Sequence, residues 1–409
     1  MISFKSYLIE EKNTHMTHIE DLVLDGGVDG VRQAINHLRA IRDELAGHAT
    51  SEVRVGLTTK WDGAPAVFAG VDPQDGKFFV AKKGIFNKNP IVYKSHKDIT
   101  DDIDNQDLAD KMKAAFDNLS LLGIKGVVQG DIMFTKGDLK REVIDGEKYI
   151  TFHPNTIVYA VPEEEADEIL SAEIGVVFHT EYHGKTFEEM KASYGVDITN
   201  FKKTGRVWAV SAGVPRFDGV ANFTSQETKQ LTQAISNAGK ILQSIPGGLL
   251  RDISSNAELN ALFNTFGNSL IRGGRRVINS KATVGELMKF IHDRHEKELS
   301  KLKTDAAKAK KETKHSDIIA FFNKYGVNDI AKIYDLQNSL VIGKEMIINK
   351  LNQINKLSTF VKTNKGFRVT GVEGFVAIDK IGGGAVKLVD RLEFSRNNFD
   401  PSIIKGWQR

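Results

Sequence analysis

Residues 53–71 read VRVGLTTKWDGAPAVFAGV, two β-rich runs parted by the tetrad Lys60-Trp61-Asp62-Gly63. Alternating β-branched and apolar residues predict a strand ending at Lys60 and a second one from Ala64 to Val71, with Asp-Gly as the break between them. A third run, KFFVAKK, follows across Asp72-Pro73-Gln74-Asp75-Gly76, so the last two runs predict an antiparallel hairpin.

Working outward, Leu108, Met112, Ala115, Phe116 and Leu119 recur at helical spacing and lead to further strand-like runs at GVVQGDIMF, TIVYAV, IGVVFHT and RVWAVSA. Upstream, Val31, Ala34, Ile35, Leu38, Ile41 and Leu45 share one helical face that Gly47 can close. Downstream, Thr224-Ser225-Gln226-Glu227 reads as a capping box ahead of Leu231, Ile235, Ala238 and Leu242. No proline occurs between Gly247 and Asn398, and amphipathic helical runs persist to about Lys365. Strand character then returns in FRVTGVEGFVAID and AVKLVDRLEF, joined at Gly382-Gly383-Gly384. The expected organisation is an α+β fold with a helical arm over 1–50, an antiparallel-sheet core over 51–224, an all-helical inserted domain over 225–365 and closing strands over 366–409.

A chain of 409 residues suits two to three domains of ~150 residues, and 41% hydrophobic content with 8 prolines excludes a disordered or collagenous class. Zero cysteines exclude disulfides, a cysteine nucleophile and cysteine-bound metal centres. The N-terminus MISFKSYLIEEKNTH turns polar after Ile9, and no apolar run approaches the ~18 residues of a membrane span, so a cytoplasmic protein without membrane contact is expected. The 56 basic residues exceed the 53 acidic ones by three, yet Arg272 to Lys314 holds thirteen Lys/Arg against six Asp/Glu, a local +7. Clustered cations that displace counterions are the footprint of a nucleic-acid grip, which nominates Arg272, Arg275, Arg276 and Lys281.

A lysine can attack phosphorus only when neutral, so Lys60 at a strand end, with Lys82 and Lys83 across the hairpin, is a candidate nucleophile in a field of cations. Phosphoryl and nucleotidyl transfer need neutralised phosphate oxygens more than proton chemistry, and further lysines with carboxylates for a hard divalent ion supply that. His179 and His183 have the spacing of a metal pair, but no third ligand accompanies them.

The ordered motifs resemble the covalent nucleotidyltransferase superfamily of ATP-dependent DNA and RNA ligases and mRNA capping enzymes, whose fold is an ATP-grasp-like antiparallel-sheet core. Lys60-Trp61-Asp62-Gly63 resembles the motif whose lysine becomes attached to the nucleoside monophosphate, and Ala81-Lys82-Lys83-Gly84 resembles the basic element that follows it. Val128-Gln129-Gly130-Asp131-Ile132 is similar to the third motif, with Asp131 where the family usually has Glu. The run Val176 to Tyr182 is similar to the aromatic-bearing strand and makes Phe178 the base-stacking candidate. Val372-Glu373-Gly374-Phe375-Val376 resembles the motif whose glutamate serves the metal, and Ala385-Val386-Lys387-Leu388-Val389 the one whose lysine holds the α-phosphate, although Val389 stands where many ligases carry a second lysine.

The resemblance covers about residues 53–220 and 366–392. It implies catalytic roles for Lys60 and Lys387, and ATP contacts from those two with Asp62, Gly63, Lys82, Lys83, Asp131, Phe178 and Glu373. It also implies Mg²⁺ or Mn²⁺ on Glu373 and Asp131. The 22 residues after Lys387 are too few for a C-terminal OB domain, which favours an RNA ligase acting on 5′-phosphate ends over a DNA ligase. The alternative of another class is a non-catalytic nucleic-acid-binding or virion-associated protein on the same fold. SFKSYL and the block from KWDGAPAVF to KKGIFNKNP also resemble uncharacterised proteins of tailed bacteriophages, which implies a bacterial host cytoplasm.

Overall fold

The computed structural model describes residues 16–47, 55–213, 223–353, 358–379 and 385–407. Its strands begin with β1 (Thr17–His18), β2 (Val55–Lys60), β3 (Ala66–Val71), β4 (Phe78–Ala81), β5 (Val127–Thr135), β6 (Lys140–Ile144), β7 (Glu147–Phe152) and β8 (Val158–Pro162). They continue with β9 (Ile174–His183), β10 (Lys191–Tyr194), β11 (Val207–Ser211), β12 (Ser358–Thr363), β13 (Gly366–Val369), β14 (Gly374–Asp379), β15 (Ala385–Leu388) and β16 (Ile403–Ile404). The helices are α1 (Leu22–Asp25), α2 (Gly27–Leu45), α3 (His96–Asp102), α4 (Gln106–Leu119) and α5 (Asp167–Ser171), then α6 (Ser225–Ser244), α7 (Leu249–Ser254), α8 (Ala257–Arg272), α9 (Ser280–Leu299), α10 (Asp305–Asn352) and α11 (Arg391–Phe399).

The architecture is α+β. Among the described residues the first sheet has the order β1-β15-β14-β2, the second β10-β9-β5-β3-β4 with β11 parallel to β9, and the third β13-β12-β8-β7-β6 with β16 on β12. The late strands complete the first and third sheets, whereas the second is built from residues 66–211 alone.

Side chains alternate across a pleated strand, and that rule decides what the first sheet presents. Leu57, Phe375, Ala377, Val386 and Leu388 all turn to one face and join the core of the helical body. Their neighbours Thr58, Lys60, Val376 and Lys387 share the opposite face, since directly paired residues point the same way and the register pairs Val376 with both Thr58 and Lys387. The same rule on β5 and β9 sends Val128, Ile132, Val176 and Phe178 towards α4, and Met133 and Val177 to the other side.

Helix α2 buries the face expected from its sequence, packing Val31, Ala34, Ile35, Leu38, Ile41 and Leu45 into one core with Leu231, Ile235 and Ala238 of α6 and Leu340 and Ile347 of α10. It is therefore a member of the helical body, where an arm was expected. The capping box is formed: Thr224 Oγ1 accepts from the Glu227 amide at 3.2 Å, and the Thr224 amide donates to Glu227 Oε2 at 2.7 Å. Helix α10 ends at Asn352, and β12 begins at Ser358, inside the stretch expected to be helical. The period-two run STFVKT outweighs helical spacing there because β12 finds a partner ladder on β8. The expected Gly382–Gly384 turn lies outside the described residues. Among the described residues no helix is long and apolar enough to cross a membrane.

One buried ion pair fixes the N-terminal segment to the helical body. Lys344 Nζ on α10 donates to Glu20 Oε1 at 2.6 Å, with both residues buried, and Arg391 Nη1 donates to Asp21 Oδ1 at 2.8 Å. Removing one partner of such a pair leaves an uncompensated charge inside the protein. Glu20→Ala should therefore lower the unfolding free energy by about 3–5 kcal/mol, and adding Lys344→Met should recover most of the loss. Chemical denaturation of the two variants checks this; equal stability of Glu20→Ala and the parent would show that the pair is solvated.

Candidate functional site

Lys60, Glu373 and Lys387 converge because of ladder register. Lys60 ends β2 as the rung partner of Gly374, so Glu373, one residue before β14, lies beside it. Lys60 Nζ and Glu373 Oε1 form an ion pair, with the Glu373 side chain only 7% exposed. Lys387, one strand further on, projects from the same face. Burial pushes its ammonium below the usual lysine range and the Lys60 charge adds to that, while Glu373 opposes it. Burial likewise raises the Glu373 carboxyl, against the pull of Lys60.

The second sheet supplies the facing groups. The Lys60-Trp61-Asp62-Gly63 tetrad crosses from β2 to β3, and the Thr59 amide donates to Ala212 O at 2.9 Å, joining the end of the first sheet to the residue after β11. A Cβ on Gly63 would stand 2.5 Å from Asp131 Cβ and 2.9 Å from Met133 Sδ, so the crossing needs glycine and brings Asp131 close to the tetrad. Asp131 is pushed up to about 7 by burial, with Lys60 pulling it down and Glu373 and Asp62 pushing it further up. The charge of Lys83, exposed at the start of the 3-10 turn Lys83–Phe86, is felt at both Asp131 and Lys387.

His179 completes the set, and sequence reasoning undervalued it. The β5–β9 register shifts between Gln129 and Gly130: Gln129 pairs with Thr180 and Gly130 with Phe178, leaving His179 as the extra residue of a bulge. Its Nε2 lies 3.7 Å from Asp131 Oδ2, and its Nδ1 is 2.7 Å from Thr180 Oγ1. Burial and then the Lys60 charge push the imidazole down to about 4, so it is neutral near pH 7. The sequence signal was its place one residue after Phe178; the bulge that exposes it has no signature in the strand pattern.

Several nominated residues stand elsewhere. Phe178 is fully buried on the far face of β9, packed edge-on against Phe201 with ring centroids 5.3 Å apart, and cannot stack on a base in the Lys60 site. Asp62 is committed to the protein: its Oδ1 accepts from Asn155 Nδ2 at 2.6 Å, and its Oδ2 accepts from the Thr156 and Ile157 amides at 2.7 and 2.9 Å. Its carboxylate therefore holds the β7–β8 turn and is not free for a nucleotide. Lys82 pairs with Asp102 at 3.1 Å, which leaves Lys83 as the cation directed to the site. In the basic segment, Arg275 forks onto Glu286 at 2.8–2.9 Å and Arg276 bonds Glu345 at 2.9–3.0 Å, so both charges are answered within the protein. Arg272 and Lys281 are exposed and have no ion-pair partner among the described residues.

The profile of a family of unknown function, DUF6267, matches residues 13–402, a span that contains the whole of this site. The chain belongs to the DUF6267 family. Neither the curated proteins nor the solved structures yield a match.

Among the described residues of this DUF6267 chain, no group of three or more His, Asp or Glu is placed to hold a metal ion. Two carboxylates remain with oxygens directed to the site, Asp131 and Glu373, each within electrostatic reach of Lys60. That donor set fits a magnesium-type ion, which takes one or two carboxylates and fills its octahedron with phosphate and water oxygens.

The raised Asp131 carboxyl gives a pH signature. A carboxyl whose folded value, about 7, lies above its unfolded one contributes stability at low pH that is lost as pH rises through 7. Asp131→Asn keeps the shape without the charge, so its stability relative to wild type should grow by about 1–3 kcal/mol between pH 5 and pH 8. Denaturant titrations at the two pH values measure this. A constant difference would place Asp131 in solvent with an ordinary carboxyl.

Proposed function

We propose that this DUF6267 chain is an ATP-dependent polynucleotide ligase, joining RNA ends through a lysyl-AMP intermediate on Lys60. The observation that carries the reading is the Lys60–Glu373 ion pair at the meeting of two sheets, with Lys387 and Lys83 as flanking cations and Asp131 opposite. The motif resemblance supports the same assignment. The ATP-grasp-like core and the helical domain set within it belong to this proposal.

Lys60 Nζ attacks the α-phosphorus of ATP; its proton leaves through Glu373 Oε1, the oxygen it touches, and pyrophosphate departs as the N–P bond forms. Lys387 and Lys83 stabilise charge on the non-bridging oxygens, where preorganised cations act most strongly. Asp131 and Glu373 would hold the divalent ion, which supplies further charge neutralisation at those oxygens. Neutral His179 beside Asp131 orients that carboxylate. A polynucleotide 5′-phosphate then takes the AMP from Lys60, and attack by a 3′-hydroxyl on the activated end seals the strand and releases AMP.

Intact mass after incubation with ATP and Mg²⁺ should show a single AMP adduct on wild type and none on Lys60→Ala. Lys387→Ala should form the adduct about 10²–10³-fold more slowly. An unchanged mass of folded wild type would favour a non-catalytic nucleic-acid-binding protein, and joining of DNA nicks without RNA would move the assignment to DNA ligase.

Of the four nominated cations of the basic segment, Arg272 and Lys281 are the two left free to grip substrate phosphates. Replacing both by Glu should spare the adduct, weaken polynucleotide binding and reduce the salt slope of log K by about 2. Affinity titrations at several salt concentrations read this out. An unaltered slope would place the polynucleotide on another surface.

A further inference from the structure

Helices α9 and α10 close into an antiparallel hairpin. His295 stacks on His315 with ring centroids 4.0 Å apart, and one turn nearer the tip Lys311 Nζ meets Glu298 Oε2 at 2.6 Å. The two helices thus converge on the connection 300–304. Five lysines surround that tip: Lys297 on the last turn of α9, Lys301 and Lys303 in the connection, and Lys308 and Lys310 on the first turns of α10. All five are exposed, and none has an ion-pair partner among the described residues. The nearest acids are committed elsewhere. Glu298 takes Arg294 at 2.7 Å as well as Lys311, and Glu258 takes Lys311 and Lys314. Between Lys297 and Lys310 that leaves Asp305 to set against five cations, and the N-terminal dipole of α10 adds partial positive charge at the same place.

Two features restrict the partner. Among the described residues between 280 and 326 no large apolar side chain is exposed, so the tip lacks the anchor that a membrane surface or a protein interface would use. A phosphate backbone asks only for cations. The lysines also stand in two rows, Lys297 and Lys301 from α9 and Lys308 and Lys310 from α10, and packed helices lie about 8–10 Å apart. A double helix presents two rows of phosphates with about one charge per 1.7 Å of its axis, and a single strand presents one row at about half that density. We propose that the α9–α10 tip grips the backbone of double-stranded RNA. The proposal rests on the polynucleotide reading only for the class of partner, and needs none of the chemistry at Lys60. Helix α10 carries the tip at one end; at the other, beyond its break at Gly326, Ile348 and Asn352 line a small cavity with Asp62 and Glu373. The tip therefore holds the body of a duplex and leaves its end to the site.

The test reads binding without ATP, so its outcome is separate from that of the lysyl-AMP assay. Anisotropy titrations of the full chain use a duplex RNA of about 20 base pairs and one of its strands alone, at several salt concentrations. Wild type should prefer the duplex by about fivefold or more. The triple variant Lys301→Glu, Lys303→Glu, Lys308→Glu changes only exposed, unpaired positions and should fold as wild type does. It should bind the duplex at least about tenfold more weakly, with the salt slope of log K reduced by about 3. Lys125→Glu, Lys148→Glu, Lys203→Glu makes the same change of net charge at exposed positions outside the helices, and should bind as wild type does. Equal loss in the two triple variants, an unaltered slope, or a wild-type preference for the single strand overturns the proposal. So does loss of binding to phosphatidylserine vesicles with duplex affinity kept, which would make the tip a membrane contact.

Discussion

Asp62, on the crossing from the first sheet to the second, ties that crossing to the third sheet. It stands two positions after the end of β2 and before β3, and its carboxylate accepts from Asn155, Thr156 and Ile157 in the turn between β7 and β8. Its own amide donates to Tyr159 Oη at 2.7 Å, so both its main chain and its side chain are bound to the third sheet. Lys405 extends the anchor from the far end of the chain, donating to Thr156 Oγ1 at 3.2 Å and Asn397 O at 2.5 Å. Charge-assisted bonds to buried amides are short and strong, and the loss of a single acceptor would orphan several donors together. Lys60 is poised because its second neighbour is immovable.

The anchor holds together a cluster that would disperse if left to electrostatics. Lys60 and Lys387 project from one face of the first sheet within each other's field, and Asp131 and Glu373 repel across the same space. The Lys60 charge pushes Lys387, and the Glu373 charge pushes Asp131, towards the neutral form, as burial does. Such mutual frustration persists only where the surrounding packing over-determines it, and the apolar faces of Leu57, Phe375 and Leu388 behind the lysines provide that backing. Structure and chemistry are thus divided between the two faces of one sheet.

Much of this was legible in the sequence, and the failures have identifiable causes. Strand alternation gave the direction of Lys387, whose neighbours Val386 and Leu388 lie in the core. The capping box marked the start of α6, and the spacing on α2 marked its buried face. Phe178 was nominated by resemblance to an aromatic-bearing strand, but its side chain lies in the core, and the bulge at the next residue brings His179 to the site. Asp62 was read as a ligand contact because its acceptors answer donors 93 to 95 positions away. The local +7 overstated the free charge because Glu345, which answers Arg276, lies outside the counted stretch, as does Glu258, which pairs with Lys311 and Lys314. Local composition cannot register a partner that the fold delivers from another helix.

The ion pair between Lys60 and Glu373 joins residues far apart in the chain at neighbouring positions of one ladder, where Lys60 pairs with Gly374. A ribosome releases the lysine early and the glutamate almost last. While the helices between them are still being translated, the nascent protein carries Lys60 with neither the carboxylate that touches it nor the second lysine beyond. The cluster therefore assembles only once β14 and β15 have been made, and a product terminated before Glu373 lacks it however well its early strands have folded.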